Sequence, residues 1–350
     1  MRDPCRNSIV SLKFDTMVRN MISPSIRLIL ISALILGVGL AVGWYAHSSQ
    51  GSLRDTEVRE NNPKYSFINP LLACEIAEGR LNVEIPSAKG QVTSIVNKAI
   101  AKGDIVHGAV YFRDLNNGWW FGINEKEQYR PASLLKLPLM MSYYRLAETH
   151  PQILKATIAY TKPAEEINKY AIAIPPEQSL IVGKNYTVSE LIDHMIWYSD
   201  NQAGGLLGLH ASREQIQETF INLHLQDPLS SENEGLISVK DYASFFRVLF
   251  NASYLNKEYS ELALSKLAQV KYADGLVAGI PKDVTIAHKF GEGQDTEGNI
   301  ELHDCGIIYS GKKPYVLCVM TKGQELGKMQ NVIQEISRAV YKQVESAIKN

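Results

Sequence analysis

Residues 302–321 read LHDCGIIYSGKKPYVLCVMT. Two runs, Leu302–Tyr309 and Tyr315–Thr321, are rich in Ile, Val, Leu and Tyr, side chains that suit a pleated, half-buried surface. Between them lies Ser310-Gly311-Lys312-Lys313, a turn-forming group, so the stretch predicts an antiparallel hairpin. If Gly311–Lys312 is a two-residue loop, Cys305 directly opposes Cys318, in a non-hydrogen-bonded pair with close Cα atoms. A disulfide and two buried thiols are both open at that pair. A third run, Val284–Gly291, precedes the hairpin. An amphipathic helix follows it over Glu325–Lys349, with Met329, Ile333, Ile336 and Val340 on one stripe.

Upstream, Val92, Ile95, Val96 and Ile100 give residues 88–102 a helical period. Two more strand-like runs come next, His107–Asp114 and Trp119–Asn124, joined by a tight turn at Asn116-Asn117-Gly118. The middle of the chain is helical. Pro131-Ala132-Ser133 opens an apolar helix reaching about Leu146. Thr187 and Glu190 form a capping box for a helix to Trp197. The pattern from Gln202 to Leu249 is helical, broken at Asp227-Pro228, with Ser238 capping Val239–Phe250. Early strands, a helical middle and late strands predict an α+β fold. One antiparallel sheet is assembled from both chain ends and flanked by helices, with an inserted all-helical lobe. A cleft between sheet and lobe is where a site is expected.

The chain has 350 residues, a formal net charge of −1 and charges of both signs interspersed. Nothing suggests a nucleic-acid partner. Its four cysteines include no C-x-x-C pair and its histidines no H-E-x-x-H, so no metal or other cofactor is expected. Residues 28–46, LILISALILGVGLAVGWYA, carry no charge. At 1.5 Å per residue they span about the thickness of a bilayer core. Arg2, Arg6, Lys13, Arg19 and Arg27 precede or edge this run. The expected organisation is a cytoplasmic basic segment over 1–27, a transmembrane anchor or signal segment over 28–46, a flexible linker over 47–65 and the ordered domain over 66–350. The expected location is therefore a single-pass membrane protein with its domain on the extracytoplasmic side, or a secreted one if Ala46-His47-Ser48 is cleaved.

Ser133-Leu-Leu-Lys136 places a hydroxyl and an amine on one helical face, at a helix start where unpaired N–H groups favour a developing oxyanion. Ser-x-x-Lys occurs three times, but the copy at Ser310 is a turn and that at Ser346 a C-terminal fringe. Alone, Ser133 reads as readily as an ordinary helix-start serine, Lys136 as a snorkelling lysine, and Ser199 and Asn201 as helix caps.

Taken together, Ser133-Leu-Leu-Lys136, Ser199-Asp200-Asn201 and Lys289-Phe290-Gly291 occur in the order of the three motifs of class A β-lactamases and penicillin-binding proteins, and the chain resembles that family. Tyr111–Gly118 with Phe121–Asn124 is similar to the strand pair before the nucleophile helix. Pro131–Pro138 is similar to that helix. Ile196–Asn201 and Gly279-Ile-Pro with Ala287-His-Lys289 resemble the approaches to the later motifs. The resemblance covers about residues 90–345. It implies Ser133 as acylated nucleophile, Lys136 as proton acceptor and Ser199 as the relay to the leaving nitrogen. It further implies Lys289 as the attractor of a substrate carboxylate, Asn201 as holder of the substrate amide, Gly291 beside Lys289 in the substrate site, and the N–H groups of Ser133 and Glu292 as oxyanion donors. The implied substrate is a β-lactam, with a peptidoglycan stem peptide as alternative and a non-catalytic sensor as a third reading. Histidines 288 and 303 are expected to be structural.

The third motif departs from the family, where Thr or Ser takes the place of Phe290. No E-x-x-L-N string follows the second motif. In the interval from His224 to Ile237, Glu232 and Glu234 are the candidate deacylation bases, and solvated loop charges by their simplest reading.

Overall fold

The structure is a computed structural model and describes residues 24–49, 56–75, 86–163, 173–228, 235–311 and 313–349. The chain divides into two compact units, 1–54 and 55–350. The first contains one helix, α1 (Pro24–Ser49). No helix among the described residues is long and apolar enough to cross a membrane. The span expected over 28–46 is therefore not supported by the helix as described. Residues 1–23, most of the expected basic segment, lie outside the described residues.

The second unit starts within the stretch expected as linker. Strand β1 (Thr56–Arg59) pairs antiparallel with β2 (Leu71–Glu75). The Arg59 guanidinium fastens this ribbon to the body, donating to Leu115 O at 2.6 Å, Asn69 O at 2.7 Å and Asn251 Oδ1 at 3.0 Å. After α2 (Pro86–Ala101) come β3 (His107–Asp114), β4 (Trp120–Ile123) and β5 (Gln128–Tyr129). The lobe follows, with α3 (Lys136–Ala147), β6 (Thr157–Ala159), β7 (Asn185–Thr187), α4 (Val188–Trp197), α5 (Asn201–His210), α6 (Arg213–Ile221), β8 (Ile237–Ser238), α7 (Val239–Phe250) and α8 (Lys257–Leu267). The chain ends with β9 (Thr285–Gln294), β10 (Ile300–Ser310), β11 (Lys313–Gly323) and α9 (Leu326–Lys349).

The expected sheet forms, in the order β4-β3-β11-β10-β9, and its neighbouring strands pair antiparallel. Alternation along each strand divides the core in two. Val110, Phe112, Leu317 and Val319 face α2 and α9. Tyr111, Val316, Cys318 and Ile307 face the lobe. The lobe is not all-helical as expected, because β6 pairs with β7 and β5 with β8. The turn chemistry reads as the residue types require. Thr187 and Glu190 make both halves of a capping box, and Ser238 caps α7. Cys305 and Cys318 are directly opposed and disulfide-bonded, with Cα atoms 4.0 Å apart.

Candidate active site

A 3₁₀ turn, Ala132–Leu135, carries Ser133 straight into α3. Lys136 Nζ donates to Ser133 Oγ at 2.9 Å, the contact that the i,i+3 spacing anticipates. The turn is held in a conformation that local propensity disfavours. Ala132 has φ +46°, a left-handed value costing a residue with a Cβ about 1–2 kcal/mol. Distant residues hold it there. Arg130 N–H donates to Glu301 Oε1 at 3.3 Å and Arg130 O accepts from His303 Nε2 at 3.0 Å. A carbonyl can only accept, so that ring nitrogen carries the proton. The Tyr242 hydroxyl donates to Leu134 O at 3.0 Å.

β9 lies directly on this turn. A Cβ at Gly291 would stand 2.9 Å from both Pro131 O and Leu134 Cγ. Gly291 is thus the residue that lets the third motif reach the nucleophile, a packing role where a substrate contact is expected.

The second motif sits at the start of α5. Ser199, at φ +54°, precedes Asp200, which is the actual cap. Asp200 Oδ1 accepts from Gln202 N–H at 2.8 Å, and its Oδ2 accepts from Leu180 N–H at 3.1 Å. That leaves Ser199 and Asn201 to face Lys136, whose Nζ donates to Ser199 O at 2.5 Å and Asn201 Oδ1 at 2.6 Å and lies 3.1 Å from Ser199 Oγ. Lys289, fully buried, closes the cluster by donating to Ser199 Oγ at 2.9 Å and Phe290 O at 2.7 Å. Its ammonium also lies 4.2 Å from the Phe290 ring centroid. Phe290 stacks in turn on Tyr272, so the position expected to offer a hydroxyl offers an aromatic face. Ser133, Lys136, Ser199, Asn201 and Lys289 therefore converge on one cleft.

Burial lowers the Lys136 pKa to about 7, with Asp200 opposing the shift. Burial, and not the neighbouring Lys289, is what depresses Lys136. The like charge acts the other way, for burial and then Lys136 push Lys289 well below its usual value. An amine near neutrality can hold a lone pair toward Ser133 and accept its proton.

Glu292 follows Gly291 on β9, and its carboxylate accepts Ala173 N–H at 2.7 Å and Ile174 N–H at 2.8 Å. The side chain ties a lobe loop to the strand whose N–H is the expected oxyanion donor. Both histidines are structural. His288 Nδ1 is 2.8 Å from Asp304 Oδ1, and burial lowers His303 to about 4, so it braces Arg130 as a neutral ring. The candidate bases Glu232 and Glu234 lie outside the described residues. Sequence reading saw His303 as structural but missed Arg130, Glu301 and Tyr242. Each contact joins a side chain to the backbone of the nucleophile turn across more than a hundred residues, and no local pattern marks it.

This geometry can be set beside known proteins. A structure of PBP-A has a TM-score of 0.63 at 19% identity and covers 76% of this chain and 98% of its own. An acyl-enzyme complex of a PBP-A mutant with penicillin G gives 0.62 at 19%, covering 75% and 98%. A class A β-lactamase from Mycobacterium abscessus gives 0.62 at 21%, covering 74% and 99%. At these identities the likeness is one of fold. The profile of the beta-lactamase enzyme family matches residues 91–344, a stretch that contains all three motifs, and the chain belongs to that family.

Proposed function

We propose that the protein is a serine hydrolase that opens the amide of a β-lactam by acylating Ser133. The observation that carries this reading is the shared proton path. Lys136 Nζ reaches both Ser133 Oγ and Ser199 Oγ, and Lys289 Nζ reaches the same Ser199 hydroxyl. Neutral Lys136 takes the Ser133 proton as Oγ attacks the carbonyl carbon. The Ser133 and Glu292 N–H groups face the oxyanion. As the C–N bond breaks, Ser199 gives its proton to the leaving nitrogen and recovers one from the lysine pair. An arriving substrate carboxylate favours the charged form of Lys289 and pairs with it, and the Asn201 amide holds the substrate side chain. Water then takes the acyl group from Ser133.

Phe290 favours a second reading, a penicillin-binding peptidase type that acts on peptidoglycan stem peptides and turns β-lactams over slowly. Without a hydroxyl beside Lys289, the substrate carboxylate loses one donor. Export across the cytoplasmic membrane fits the arginines that precede residues 28–46, and the Cys305–Cys318 disulfide fits an oxidising compartment.

Intact mass after penicillin G treatment tests the reading. A penicilloyl adduct is expected on the wild-type protein and none on Ser133→Ala. No adduct on either overturns it. Turnover after the burst separates the two readings. If Glu232 or Glu234 drives deacylation, its replacement by Gln slows that step by about 10²–10⁴-fold. If neither does, the adduct is long-lived in the wild type.

A further inference from the structure

At the edge of the sheet opposite β9, strands β3 and β4 and helix α7 enclose a cavity of about 270 Å³. Three cations line it, Arg113 from β3 and Lys240 and Arg247 from α7. The α7 pair is seven residues apart, two helical turns, so both project from one face. Arg113 and Trp120 are cross-strand partners and Tyr111 shares the face of Arg113. The two rings stack at 5.8 Å, and Lys240 Nζ lies 4.9 Å from the Trp120 centroid. Tyr111 and Lys240 thus both engage the Trp120 ring, and the cavity's chemistry is carried by charge.

No carboxylate lines the cavity among the described residues. Elsewhere the surface cations near carboxylates pair with them, as Lys257 does with Glu60 at 2.5 Å and Lys266 with Asp193 at 2.5 Å. Two guanidiniums and an ammonium gathered without a counter-charge repel one another, and an anion at their centre removes that cost. A carboxylate would leave most of this charge uncompensated, whereas a phosphate dianion matches two planar guanidinium forks and a third donor.

We propose that this cavity is a phosphate-binding site, separate from the Ser133 cleft and formed by Arg113, Arg247 and Lys240. The shared chemistry is a tetrahedral phosphate, either free or as a monoester, or within the diester of a polyol phosphate headgroup.

Calorimetric titration of the full chain at low ionic strength tests it, using inorganic phosphate in one arm and glycerophosphoglycerol in the other. Saturable one-site binding of inorganic phosphate is expected, weakened at least about tenfold in Arg113→Gln/Arg247→Gln, the scale of losing a charge-assisted contact. The single substitution Arg247→Gln, on the outer side of a helix, serves if the double variant does not fold, and should weaken binding by several-fold. Lys98→Gln/Lys102→Gln removes two exposed charges from α2 and its C-terminal turn and should leave affinity unchanged. Binding of phosphate alone assigns a free or monoester ligand, and binding of both probes extends the site to diesters. Absence of saturable binding of inorganic phosphate overturns the site, as does an equal loss in the α2 variant, which would mark a general charge attraction. Penicillin acylation of Ser133 is scored separately, so the two readings fail independently.

Discussion

At Lys136 the sign of the pH dependence follows from burial. The side chain is 8% exposed, and taking an ammonium out of water favours the neutral amine. Its pKa falls to about 7, so the acceptor form grows as pH rises through neutrality. Stopped-flow acylation by a chromogenic cephalosporin should accelerate between about pH 6 and pH 8 and then level off. A flat profile across that window would remove Lys136 as the proton acceptor. Lys136→Arg, charged at every accessible pH, should slow acylation at least about 10²-fold. His303 gives a second sign. Its folded pKa is near 4, below the ordinary value of about 6.5. The unfolded chain therefore binds the proton first as pH falls. The stability the neutral ring contributes is complete above pH 6.5 and is lost progressively down to about pH 4, on the order of 3 kcal/mol. Glu301, raised by burial, acts in the opposite direction, so the comparison must be differential. Urea unfolding of His303→Gln should show a shallower loss of stability over that window than the wild type, and parallel curves would remove His303 from the acid response.

Between elements, the contact that matters is β9 against the nucleophile turn. Gly291→Ala forces a methyl to within 2.9 Å of Pro131 O and Leu134 Cγ. Overpacking of this kind costs about 1–3 kcal/mol, and here the displaced atoms flank Ser133. Thermal unfolding should report the lower stability and stopped flow the slower acylation. An unchanged acylation rate would mean that the turn does not depend on this contact. β10 and β11 carry the other cross-element link. The Cys305–Cys318 bridge closes a loop with a sequence separation of 13, worth about 2–3 kcal/mol by loop entropy. Cys305→Ala/Cys318→Ala should lower the unfolding free energy by that amount, and a smaller change would show the hairpin alone confining the unfolded chain. This pairing was legible because a two-residue loop fixes every register position after it. The caps at Thr187 and Ser238 were legible for a similar reason, since each is a contact within three residues. The left-handed Ala132 and Ser199 were not. Neither residue type prefers that conformation, and it is imposed by Arg130, Glu301, His303 and Asp200 contacts that exist only once the sheet and lobe have met.

Over the whole molecule, periodicity gave the antiparallel sheet and the helical middle, because alternation separates the two cores strand by strand. It could not give β1, whose four residues sit in a polar stretch without a hydrophobic period and are held by Arg59 reaching to Leu115 and Asn251. Nor could it give the short β6–β7 pair, three residues per strand. The three motifs brought Ser133, Lys136, Ser199 and Lys289 together because motif order tracks topology. The proposed export follows from a different kind of signal, the charge asymmetry around residues 28–46. Five basic residues before or at the edge of that run should keep the N-terminus in the cytoplasm and send the body across. A disulfide between two buried cysteines fits the same proposal, since cytosolic reductants keep most thiols reduced. Alkaline phosphatase fused after Asn350 should therefore be active, and a fluorescent protein that folds only in the cytoplasm should be dark at the same junction. Replacing Arg19 and Arg27 by Gln tests the cause, because weakening the positive flank should reduce the exported fraction. If the fusion is active only in the cytoplasm, the export proposal fails, and the Cys305–Cys318 bridge would then have to form against a reducing pool.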